Sequence, residues 1–128
     1  MKTLLFENHE IEIILEAGIV ICNWKSSYID LNTAERMIKY RLESTNFGLY
    51  PLLSNIRSII HGTREARVFL ASEKGCEGII AAALLIDSPL GSLVSNFWLN
   101  INKPLRPTKI FSDELKAKEW LTQYVKKV

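Results

Sequence analysis

The residues able to do chemistry gather in one stretch. Positions 57–67 read Arg-Ser-Ile-Ile-His-Gly-Thr-Arg-Glu-Ala-Arg, which brings Ser58, His61, Thr63, Arg64 and Arg67 together around a strand-to-helix junction. Such junctions carry function in open α/β sheets, because the strand ends there and the loop is free to vary. His61 is the single imidazole placed to act as a base for a neighbouring hydroxyl. With no partner constellation in the sequence, it reads as a loop imidazole in water or bonded to backbone. Arg64 and Arg67 are three apart at a helix start, where the positive end of the dipole adds to their charge, so a phosphate or a partner's carboxylate could sit there. The alternative is a solvated face with local pairing to the interleaved Glu65. Thr63 reads as the N-cap of that helix.

The rest of the chain offers little else for catalysis. Single, scattered glycines give no phosphate cradle, and GxGxxG, GxxxxGK[ST], HExxH and GxSxG are all absent. Cys22 and Cys76 lie far apart with no CxxC, and His9 and His61 are the only histidines. Both thiols read as structural, Cys76 being the more reachable of the two. No enzyme activity, metal or cofactor is expected.

The elements that must position the 57–67 segment follow from periodicity. Residues 9–15 alternate polar and apolar, Glu16-Ala17-Gly18 supplies a turn, and residues 19–24 return as a β-branched strand: a hairpin. Residues 2–6 suggest a short leading strand. Asn32-Thr33 is read as the cap of a helix running to about Thr45, with Ala34, Met37, Ile38 and Leu42 on its buried side and Asn46-Phe47-Gly48 ending it. Residues 49–56 form a strand with Pro51 near its start. A second helix begins at Thr63, buries Ala66, Phe69 and Leu70, and ends at Lys74-Gly75. Residues 79–86 are apolar throughout, as in a strand covered on both faces. A third helix is expected from Pro89, with Leu90, Leu93, Val94 and Phe97 inward; Phe97 and Trp98 with Phe47 and Tyr50 read as packing, the alternative being a cleft between helix and sheet for an apolar ligand. Residues 108–111 suit a short strand. Ser112-Asp113-Glu114 opens a last helix, with Leu115, Trp120, Leu121, Tyr124 and Val125 facing inward. A hairpin followed by alternating helices and strands gives an α/β fold, a mixed sheet with packed helices.

The 128 residues are 48% hydrophobic and 23% charged with net charge +2, which suits one domain spanning 1–128 and argues against disorder. No apolar run approaches the ~20 residues of a membrane span and no targeting segment is evident, so a cytoplasmic protein without integral membrane association is expected. Charge is uneven: from Lys103 onward seven Lys/Arg face three Asp/Glu. A nucleic-acid stripe would be more basic and carry exposed aromatics, whereas Trp120 and Tyr124 read as core, so no nucleic-acid partner is expected. The hairpin edge could pair with a second copy, giving a homodimer.

This order resembles the SpoIIAA-like superfamily, shared by STAS domains (bacterial anti-sigma factor antagonists) and SEC14/CRAL-TRIO lipid-binding domains, and is most similar to small uncharacterised bacterial STAS/SEC14 domain-containing proteins. The resemblance is carried by Glu16-Ala17-Gly18-Ile19-Val20, Tyr50-Pro51-Leu52-Leu53-Ser54-Asn55-Ile56, Thr63-Arg64-Glu65-Ala66-Arg67, Ala81-Ala82-Ala83-Leu84-Leu85, the stretch from Phe97 to Pro104, Phe111-Ser112-Asp113-Glu114 and Glu119-Trp120-Leu121. It implies a non-enzymatic regulatory domain that binds a protein partner or, alternatively, a SEC14-type domain with a small apolar or lipid ligand. In the antagonists an Asp-Ser pair opens the helix and its Ser is phosphorylated. Here that pair is absent, and Thr63 and Ser58 are the nearest hydroxyls.

Overall fold

The computed structural model describes residues 1–87 and 104–126. The helix expected from Pro89, with Phe97 and Trp98, lies outside the described residues.

The chain opens with three antiparallel strands, Lys2–Glu7 (β1), Ile11–Glu16 (β2) and Ile19–Trp24 (β3). Ala17 and Gly18 join β2 to β3 with φ of 52° and 82°, the pair of positive angles that suits the twist of a two-residue hairpin. Gly18 is constrained a second way, since a Cβ there would stand 2.6 Å from Val125 Cγ1. The leading strand does form, so the free edge belongs to β1 and not to the hairpin. A register shift between Leu4 and Phe6, with Lys2 and Glu7 at the strand's two ends, blunts that edge.

Tyr28–Ile29 (β4) then leads into the helix Leu31–Ser44 (α1). Its cap is Asp30, whose Oδ1 accepts from Thr33 N at 2.8 Å, and not the expected Asn32-Thr33. Asp30 is extended while Asn32 and Thr33 are already helical, so only Asp30 can reach back over the first turn. Asn46 and Phe47, both with positive φ, end the segment as the sequence suggests.

Tyr50–Asn55 (β5) pairs in parallel with β3, and Ile79–Leu85 (β7) pairs in parallel with β5. The β5–β7 register slips between Tyr50 and Leu52, which places Pro51, lacking an N–H, at an irregularity of the ladder. Between them, His61–Gly62 (β6) pairs with β4 in a separate two-residue ladder, and Arg64–Ala71 (α2) follows, capped by Thr63. This helix ends at Ala71, short of the expected Lys74-Gly75, because Ser72 is extended and its hydroxyl takes the Phe69 carbonyl. Thr108–Phe111 (β8) and Glu114–Thr122 (α3) complete the described elements. The main sheet runs β1-β2-β3-β5-β7-β8, a mixed sheet whose last four strands are parallel.

Strand alternation divides the core in two. Cys22, Trp24, Leu52 and Ile79 face α1 and α2, packing with Ala34, Met37 and Ala66. Ile19, Ile21, Leu53, Ala81, Ala83 and Leu85 face α3, where Ala117 and Leu121 are fully buried. Leu115, expected inward, is 71% exposed. Once Asp113 caps α3, the inward line is set by Ala117 and Leu121, and Leu115 falls on the far side. Replacing Leu121 by Ala should therefore cost about 2–4 kcal/mol of unfolding free energy, measured by urea titration. Leu115→Ala should change it by no more than about 0.5 kcal/mol.

Candidate functional site

Two features stand apart from the packing of the core. They share the β3–β5 end of the sheet and are held by different bonds.

The first is the segment from Arg57 to Arg64. The Ser58 hydroxyl donates to Trp24 O at 2.5 Å and lies 3.2 Å from Ser26 O, pinning the loop to the end of β3. Ile60 N and His61 N both donate to Ser27 O, and Thr63 N donates to Ile29 O. Thr63 Oγ1 accepts from Ala66 N at 3.2 Å, the N-cap bond the sequence suggests. The hydroxyls of Ser58 and Thr63 are thus both engaged in holding the backbone. What the loop presents outward is apolar and aromatic: Ile60 is 79% exposed, and Tyr28, 54% exposed, stacks on the exposed His61 with centroids 5.5 Å apart. Arg64 is exposed beside them, whereas Arg67, three residues on, lines an internal cavity. The two arginines do not form one joint surface.

Sequence reasoning missed Tyr28 as the partner of His61, since it lies in another segment and the two-residue β4–β6 ladder brings them together. It also missed a polar line across the strand ends. Asn23 Nδ2 donates to Glu12, Asn55 Nδ2 donates to Asn23 Oδ1, and Arg57 donates to Asn55 Oδ1. Arg57 then reaches Glu114 at 3.5 Å, linking the loop to α3. Asparagines closing two apolar strands were the available signal.

The second feature is a cavity of about 130 Å³ between the sheet and the two helices on that face. Its walls are mainly apolar, among them Met37, Leu52, Leu70, Ile79 and Leu84. The polar groups are few: Ser54, which accepts from Trp24 Nε1 at 3.1 Å, the two thiols, Thr108, and the guanidiniums of Arg41, Arg67 and Arg106. Arg41 is 4% exposed and donates to Glu77 O and Gly75 O at 2.8 and 3.1 Å, tying α1 to the turn that follows α2. Burial lowers its pKa, yet an arginine remains charged at any pH of interest. Burial likewise pushes the Cys22 thiol up to about 12 and raises that of Cys76, so both are protonated and poor nucleophiles. Both are free. Among the described residues no His/Cys/Asp/Glu group could hold a metal ion, and no helix is long and apolar enough to cross a membrane.

The arrangement is a SpoIIAA-like fold. A solved structure of an uncharacterised protein of the DUF3478 family from Shewanella loihica PV-4, described as having a SpoIIAA-like fold, superposes at a TM-score of 0.58, covering 91% of this chain and 97% of its own at 14% identity. The chain belongs to the family described as a domain of unknown function, DUF7793, whose profile matches residues 13–125. A protein with unknown function from Arthrobacter sp. FB24 is 26% identical over 87% of this chain and 92% of its own, at a TM-score of 0.34. Comparison with curated proteins gave no match.

The thiol chemistry gives a direct check. At pH 8 a disulfide reagent should leave Cys22 unmodified in the native protein and react with Cys76 well below the rate of a free thiol. In denaturant both should react at once; rapid native labelling of Cys22 would contradict the buried placement. The caps give a second check. Hydrogen bonding from Thr33 lowers the Asp30 pKa, so the stability it contributes is complete above the ordinary carboxylate range and lost as pH falls through its depressed native value. Asp30→Asn keeps an N-cap acceptor and removes the titration, so its thermal midpoint should fall less than wild type below about pH 4.

Proposed function

We propose that the chain is a non-enzymatic regulatory binding domain whose contact surface is the Tyr28–Ile60–His61–Arg64 platform. The observation that supports this is the platform itself: a loop tied to the sheet and to β4 by backbone and hydroxyl bonds that nevertheless displays a large aliphatic residue and an aromatic stack to water. A rigid loop with exposed apolar groups is the usual form of a protein contact, since little conformational entropy is lost on binding. Arg64 at its margin favours a partner that brings a carboxylate or phosphate. Because Ser58 and Thr63 already spend their hydroxyls on the backbone, the surface suits a standing interface better than one switched by phosphorylation at those residues.

The test compares proteins captured from host cells by wild type, by Ile60→Asp/Arg64→Glu, and by Lys116→Glu on α3. A partner of this surface should be lost at least tenfold from the double variant and retained by the α3 variant. Unchanged capture by the double variant would remove the surface assignment.

A second reading, a small apolar ligand held inside the domain, is favoured by the cavity beneath α1 and α2. The ligand would contact Met37, Leu52 and Ile79, and thermal-shift screening with small apolar compounds would register it.

A further inference from the structure

The charge on the cavity wall specifies more than an apolar occupant. Arg41, Arg67 and Arg106 are among the residues lining this space, and among the described residues no aspartate or glutamate lines it. Arg41 is buried and forms no ion pair with any described residue; its hydrogen bonds to described residues go to two backbone carbonyls, which occupy two of the five N–H donors of a guanidinium. Among the described residues Arg106 likewise donates to backbone carbonyls, those of Ile79 and Leu105. The Ser54 hydroxyl accepts from Trp24 and donates to no described residue. The exposed Glu77 carboxylate acts on Arg41 electrostatically without pairing with it, so a cation that keeps its proton beside mainly apolar walls is further stabilised by an anion brought from outside.

We propose that the cavity is a binding site for a small apolar monoanion, a carboxylate borne on a hydrocarbon body about the size of one aromatic ring. Size limits the body: a core cavity of roughly 150 Å³ accommodates benzene, and this one measures about 130 Å³. Arg41 and Ser54 supply donors for the carboxylate, while Met37, Leu52 and Ile79 contact the body. The proposal rests on the second reading above, that the cavity takes a ligand, and adds the charge and size of that ligand.

The test uses benzoate and its neutral isostere benzamide, titrated into the full chain and followed through the Trp24 indole N–H resonance, which sits on the cavity wall. Benzoate should shift that resonance saturably and bind at least tenfold more tightly than benzamide, as a charge-assisted hydrogen bond requires. Arg41→Met should bring benzoate down to the affinity of benzamide. Should that variant fail to fold, Ala82→Leu, which fills the cavity from β7 and leaves the arginines in place, should abolish binding of both compounds while the protein remains folded by circular dichroism. Equal affinity for the two compounds in wild type would overturn the anionic assignment and leave an apolar site standing. Absence of a shift with either would overturn the ligand reading itself, as would binding undiminished in Ala82→Leu.

Discussion

Three consecutive alanines in the central strand β7 set the depth of packing on both faces of the sheet. Ala81 and Ala83 point toward α3 and are fully buried there, where Ala117 meets them and Leu121 fills the remaining space. Small residues on both sides let the helix come close, which is why one short helix suffices to cover that face. Ala82 points the other way, among the larger side chains facing α1 and α2, and there no described side chain takes up the room it leaves. One strand thus closes one face and opens a cavity in the other.

The open face is held apart by a polar device. Arg41 reaches across from α1 to the carbonyls of Gly75 and Glu77, fixing the turn after α2 at a set distance from the sheet. Gly75 is required in that turn, since a Cβ would stand 2.2 Å from the Phe69 carbonyl oxygen. A guanidinium bonded to these carbonyls keeps the turn, the helix and the cavity in register. The same turn carries Cys76 to the cavity wall, while Cys22 arrives there from β3.

The hairpin, the strand at 49–56, the cap at Thr63 and the covered strand at 79–86 are all legible in the sequence, because each depends on residues a few positions apart. The cap of α1 lies two residues before the pair the sequence suggests: Asn32-Thr33 is a good capping pair in isolation, and the choice of Asp30 depends on where β4 releases the chain. Leu115 reads as inward in the sequence because an apolar residue in a helix start counts toward any stripe. Its true direction depends on which face meets Ala81 and Ala83. Of the candidate site residues, Ser58, His61, Thr63 and Arg64 do lie on one loop, but Arg67 turns inward, and the loop's aromatic partner Tyr28 comes from more than thirty residues earlier.

The sequence by itself determined the period of each element and therefore the order of strands and helices, since local backbone preference and alternation act over short spans. It also determined that the thiols and histidines form no local catalytic or metal motif. Only the tertiary structure decided which polar side chains became surface and which became wall. Arg64 and Arg67 have the same chemistry and nearly the same neighbours in sequence. Yet Arg64 is exposed, whereas Arg67, half-buried three residues on, lines the cavity. Which direction is which depends on what the helix packs against, a relation between segments that no local pattern contains.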